Sequence, residues 1–154
     1  HARLRTAPHV AGSLSGFVRT GHRSLEVQND LIEIDAGDTY CYDDQGRKDQ
    51  ARREKKAADR IFNLLPADQA ATFRDLWDEF EERKTPESRY ANALDRLQPF
   101  LHNYFTEGQI WQENNINSAQ VKERMNPVAD GAPILWNYVS SLIDDGIKKG
   151  YLAE

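Results

Sequence analysis

Apolar residues spaced three and four apart recur along most of this chain, and only helices place such residues on one face. Between residues 67 and 84, Ala70, Phe73, Trp77 and Phe80 form one such stripe. Thr85-Pro86-Glu87 then reads as a helix start: a capping hydroxyl, proline at the first helical position and an acid at the positive end of the dipole. The helix it opens carries Tyr90, Leu94, Leu97, Leu101 and Tyr104 on one face and is expected to end near Gly108. Residues 48–65 are strong helix formers stopped by Pro66, and Asp44-Gln45-Gly46 before them reads as a turn. Residues 118–124 predict a short helix ahead of Asn126-Pro127. Residues 133–149 place Leu135, Val139, Leu142, Ile143 and Ile147 at helical spacing, with Gly150 suited to the left-handed position after the helix. No strand-like alternation of useful length occurs, so the expected class is all-α.

Composition bounds the rest. The 154 residues suffice for one domain with its own core, and the expected organisation is a single domain over 1–154. Charged residues reach 29% and hydrophobic ones only 39%, yet 10% aromatics argue against a disordered chain. No apolar run of about 18 residues is present, so no membrane helix is expected. The single cysteine, Cys41, excludes a disulfide framework and a Cys-rich zinc module, and no nucleophile motif surrounds it. No signal-like apolar stretch precedes the helices, so the expected compartment is the cytoplasm. A net charge of −5 speaks against general nucleic-acid binding.

Residues 1–28 stand apart. His1 to Leu25 contains no Asp or Glu but holds Arg3, Arg5, Arg19, Arg23 and three of the four histidines, His1, His9 and His22. Its apolar residues follow no sustained period, and it is expected to be irregular.

Two places could carry chemistry. Residues 29–39 read NDLIEIDAGDT and include Asp30, Glu33, Asp35 and Asp38. In a helix, Asp30 and Glu33 share a face, and Gly37 permits a sharp turn that returns Asp38 towards them. Converging carboxylates repel unless a cation or a shared proton relieves them, which makes a divalent-metal site plausible. A solvated acidic helix end satisfies the same spacing. The second place is Asp95, at the edge of an apolar face, where an acid needs a cation, a metal or a hydrogen bond. It could equally be a boundary aspartate paired with a Lys or Arg. The run Arg47, Lys48, Arg52, Arg53, Lys55, Lys56 and Arg60 is interrupted by Asp49, Glu54 and Asp59 and reads as a solvated helix face. Trp77, Trp111 and Trp136 read as core or boundary aromatics. No Gly-rich phosphate loop is present.

The segment Asn29 to Tyr40, NDLIEIDAGDTY, resembles the signature of the HD-domain phosphohydrolases, in the branch with 5′-deoxynucleotidase-like members. There it typically reads His-Asp-Leu-Val-Glu-Ile-Asp-Ala-Gly-Asp-Thr. The stretch Leu76-Trp77-Asp78-Glu79-Phe80-Glu81, the helix start Thr85-Pro86-Glu87-Ser88 and the segment Ala93-Leu94-Asp95-Arg96-Leu97-Gln98-Pro99 fit the same branch. The likeness covers Asp30 to Leu152. It implies an all-α HD-domain bundle that hydrolyses phosphate esters, here nucleoside 5′-monophosphates, with a divalent cation such as Mn, Co or Mg. It implies Asp30 and Asp95 as metal ligands, Glu33 as the carboxylate that positions or deprotonates water, and Asp38 as an acid near the phosphate. It also implies a homodimer.

Two departures accompany the likeness. Asn29 stands where the family has the histidine of the His-Asp pair, and an amide oxygen is a poorer ligand than imidazole for softer metals. An upstream family histidine is also a ligand. Thr6-Ala7-Pro8-His9 is similar to the run into that motif and makes His9 the candidate, while Val10-Ala11-Gly12-Ser13 does not match. The expectation is a metal-dependent 5′-nucleotidase-like hydrolase impaired at Asn29. The rival expectation is an inactive helical domain that binds nucleotides or serves as an interaction module.

Overall fold

The computed structural model describes residues 29–43 and 45–154. Seven helices account for most of them: α1 (29–36), α2 (Arg47–Phe62), α3 (Ala67–Glu82), α4 (Pro86–Phe105), α5 (Gln109–Glu113), α6 (Ser118–Gly131) and α7 (Pro133–Lys148). Among the described residues no strand forms beyond an isolated bridge between Asn117 and Ala153. The all-α expectation holds.

The start of α4 follows its sequence signal. Thr85 is extended (φ −81°, ψ 154°), and its hydroxyl oxygen accepts from the Ser88 amide at 3.1 Å. Pro86 occupies the first turn, where its missing N–H costs nothing. Three expectations need correction. The helix expected to close before Asn126-Pro127 instead runs through Pro127 to Gly131. Its entry is fixed by a capping box, with Asn117 Oδ1 accepting from the Gln120 amide and Gln120 Oε1 accepting from the Asn117 amide, each at 3.0 Å. Its exit is fixed by packing: a Cβ at Gly131 would lie 2.1 Å from the Arg89 carbonyl oxygen on α4. Tertiary contact thus overrides the proline. Helix α5 carries no periodic signal in its five residues and went unforeseen; it forms around the buried Trp111.

The third correction concerns α4. Tyr90, Leu97, Leu101 and Tyr104 of the expected stripe pack on the larger core and Leu94 does not, while the most buried positions also include Ser88, Ala91, Asn92, Ala93, Arg96 and Phe100. α4 is the central helix, in contact with α3, α5 and α6, so it buries more than one face. The larger core joins α4, α5, α6 and α7 around Phe100, Trp111, Val121, Met125, Val139 and Ile143. A smaller one joins α1, α2 and α3 around Ile32, Ala58, Phe62 and Trp77. Ile32 is fully buried and pins α1 to this second core, which presents the acidic residues of α1 towards α4.

Candidate active site

Ile32 and Ala36, one turn apart, face the α2–α3 core, so Glu33 lies at the edge of the helix and Asp30 on its exposed side. α1 ends where the Gly37 amide donates to the Glu33 carbonyl at 2.8 Å, and Gly37 takes φ +76°. That left-handed conformation is the one glycine adopts without cost, and it turns the chain so that Asp38 faces the cavity. Arg53 on α2 holds this turn. Its guanidinium donates to the Ala36 carbonyl, to Thr39 Oγ1 at 2.6 Å and to the Gly46 carbonyl at 3.3 Å. A cation at the carbonyl end of a helix also suits the dipole. The basic run of α2 is therefore not only a solvated face: Arg53 supports the site loop, and Arg60 pairs with Asp35.

A cavity of about 620 Å³ opens between these elements. Asn29, Glu33 and Asp38 line it from the α1 side, and Asp95 and Arg96 from α4. Asp30 is exposed and outside the lining, yet its charge acts on both Glu33 and Asp95. Three of the four expected carboxylates, Glu33, Asp38 and Asp95, thus line one cavity, and Asp30 does not. Glu33 feels this most: burial, then Asp38, Asp30 and Asp95, push its carboxyl up to about 7. The opposing influence is Asn29, whose Nδ2 donates to Glu33 Oε1 at 3.1 Å.

Asp95 is raised by burial, against the pull of Arg96, Arg124 and Arg83. Its nearest cation is Arg96 Nη1 at 3.9 Å, too long for a hydrogen bond. Arg96 directs Nη1 instead to the Asn92 carbonyl at 2.8 Å and to Asn92 Oδ1 at 3.1 Å. Pro99, one turn on, also lacks the N–H that the Asp95 carbonyl would meet in an uninterrupted helix. Asp95 is therefore not closed off by an arginine of its own, whereas Asp35 is.

His9 lies outside the described residues. Among the described residues no three His, Cys, Asp or Glu side chains converge closely enough to hold a metal ion. Asp30 and Asp95 are oxygen donors, the ligand type a hard divalent cation takes, but only Asp95 lines the cavity.

Several lining residues were not anticipated. Glu54 and Glu81 face the same cavity; Glu54 is buried, accepting from Gln50 Nε2 at 2.7 Å, and burial followed by Glu54 raises Glu81. Arg83, Arg96 and Arg124 line the cavity as well. Asn92 Nδ2 bonds the carbonyls of Phe80 at 2.9 Å and Ser88 at 3.0 Å, and so ties α3 to α4. The available signal was the spacing of Ser88, Asn92 and Arg96, a polar column four residues apart beside the apolar stripe of the same helix.

With the geometry in place, comparison with known proteins defines the class. The HD domain profile matches residues 26–136, and the chain belongs to the HD-domain family. It is similar to 5′-deoxynucleotidase HDDC2 of Bos taurus and of Homo sapiens, in each case 30% identical over 77 residues, which are 50% of this chain and 38% of that protein. The Danio rerio protein of the same name is 32% identical over 82 residues, 52% of this chain and 41% of its own. The matched stretch thus spans about two-fifths of these relatives. The fold is also similar to the crystal structure of a predicted metal-dependent phosphohydrolase from Magnetospirillum magnetotacticum MS-1. The TM-score is 0.80 and the identity 43%, over 86% of this chain and 68% of that one.

Proposed function

We propose that the chain is a single HD-type domain built for metal-dependent hydrolysis of phosphate monoesters, with nucleoside 5′-monophosphates as substrates. The observation that carries this reading is a cavity that gathers Glu33, Asp38 and Asp95, from two helices and one turn, together with Arg83, Arg96 and Arg124. The names of the similar proteins supply the substrate class. Asp30 and Asp95 would hold a divalent cation, with His9 completing the set. When bound, such a cation lowers the pKa of a coordinated water and offsets phosphate charge.

The chain's own residues do the rest. Glu33 Oε1 is held by Asn29, which leaves Oε2 to take a proton from water. A carboxyl at about 7 is half-ionised at neutral pH and can accept that proton and release it again. Asp38, at the mouth of the cavity, orients the attacking water by accepting a hydrogen bond. Asn29 leaves the ligand set one imidazole short, so the activity is low. A homodimer belongs to the same proposal. Among the described residues no helix is long and apolar enough to cross a membrane.

The test is phosphate release from a panel of nucleoside 5′-monophosphates with added manganese or cobalt, for the chain and for Asn29→His. Slow release that rises sharply in Asn29→His and vanishes in Asp95→Asn is expected. The second reading, an inactive nucleotide-binding domain, is favoured by Asn29 itself. It is established if both chains bind nucleotide without metal dependence and release no phosphate.

A further inference from the structure

Next to the acidic cavity lies a second hollow of about 350 Å³, which shares Cys41, Tyr42, Arg83, Arg96 and Arg124 with the first as lining residues. Arg47, at the start of α2, adds a fourth guanidinium, and Glu123 is the one carboxylate on its wall. Four like charges around one hollow repel each other, and burial of one of them sharpens the cost. Arg96 is only 5% exposed, and burial with Arg124 and Arg83 beside it lowers its pKa to about 10.

Asp95 and Glu81 offset part of the repulsion at Arg96 without a hydrogen-bonded pair, and Arg47 and Arg83 are exposed to solvent. Among the described residues Arg47, Arg83 and Arg124 form no ion pair, and Arg96 reaches Asp95 only at 3.9 Å. Residues 1–28 carry a single carboxylate, Glu26. Four guanidinium side chains on one hollow match an oxyanion ligand, for which the guanidinium fork is the best fit among side chains.

We propose that the hollow walled by Arg47, Arg83, Arg96 and Arg124 is a phosphate-binding subsite, distinct from the acidic end where the scissile ester would sit. The ligand is a phosphate oxyanion. Because the two hollows share a wall of five residues, a nucleotide with two separate phosphates, one for each hollow, is the substrate that would use both. The anion site stands on the arginines alone; its use by such a substrate rests on the hydrolase reading.

The experiment uses the full chain freed of metal with a chelator, at low salt, titrated with inorganic phosphate by calorimetry. Without a cation the acidic end repels phosphate, so binding reports on the arginines. Saturable binding is expected, weakened at least tenfold in Arg83→Ala and in Arg124→Ala, and partly kept in Arg124→Lys. Arg83 and Arg124 are not in the buried core, and circular dichroism verifies that the variants fold. Absence of phosphate binding, or binding unchanged in both alanine variants, overturns the proposal whatever the outcome of the hydrolysis assay. A nucleoside 3′,5′-bisphosphate that binds at least tenfold tighter than phosphate, with the gain lost in Arg124→Ala, assigns the subsite to a substrate phosphate. Equal affinity assigns it to free phosphate.

Discussion

Asn29 Nδ2 donates a hydrogen bond to Oε1 of Glu33, one helical turn away on α1, at 3.1 Å. The pair joins the residue that departs from the HD signature to the carboxylate most perturbed by its neighbours. Asn29→His should supply an imidazole beside Asp30 and raise manganese affinity at least tenfold, with hydrolysis rising in parallel. Asn29→Ala should leave metal affinity low and shift the acid limb of any pH–rate profile upward, because it removes the one bond that favours ionised Glu33. Calorimetry and a pH series of initial rates measure both.

Glu33 also makes stability depend on pH. Its carboxyl is raised from 4.5 to about 7 on folding, so between those values the native state binds more protons than the unfolded state. Stability is therefore full below about pH 4.5 and falls as pH rises through 7. Glu33→Gln mimics the protonated form. In chelator-treated protein it should be more stable than the parent at pH 8 by about 1–2 kcal/mol, after discounting for partial exposure, and no different at pH 4. Urea unfolding at the two pH values measures this. Added manganese should shrink the difference at pH 8.

Arg53 is expected to be the most sensitive residue of the basic run. It caps the carbonyl end of α1 and holds Thr39 and Gly46. Arg53→Ala should cost about 2–3 kcal/mol and also slow hydrolysis, since the turn that carries Asp38 loses its support. Arg52→Ala, whose side chain is 83% exposed, should change stability by less than about 0.5 kcal/mol. Denaturant midpoints separate the two.

Gly131 marks the closest approach of α6 to α4. A methyl group there meets the Arg89 carbonyl at 2.1 Å, and backbone cannot yield as a side chain can. Gly131→Ala should destabilise by about 2–3 kcal/mol, whereas at Gly46 a Cβ first meets the end of the Asp43 side chain, at 2.6 Å, and Gly46→Ala should cost less.

The helices of this fold were legible wherever an apolar stripe or a cap was strong: α3 from Phe73, Trp77 and Phe80, α4 from Thr85-Pro86-Glu87, and α7 from Val139 and Ile143. α5 was not, because five residues hold too few turns to show a period. The length of α6 was not, because Pro127 signals an end that packing against Arg89 overrides. Among the site residues, Glu33 and Asp38 could be read from carboxylate spacing and Gly37. The arginine wall could not: Arg83, Arg96 and Arg124 come from three separate segments, and each looked like one more surface charge until the fold brought them to one cavity. Within a helix period, Ser88, Asn92 and Arg96 were readable as a polar column but were masked by the apolar stripe beside them.

The central claim is that Asp30 and Asp95 share a divalent cation. Manganese binding, followed by the loss of the free-ion electron paramagnetic signal, tests it in the Asn29→His background, where affinity is highest. Asp30→Asn and Asp95→Asn should each weaken binding at least tenfold, while Asp35→Asn, whose carboxylate is already held by Arg60, should leave it unchanged. Manganese affinity that is equal in all three variants, or that falls only in Asp35→Asn, would contradict the account.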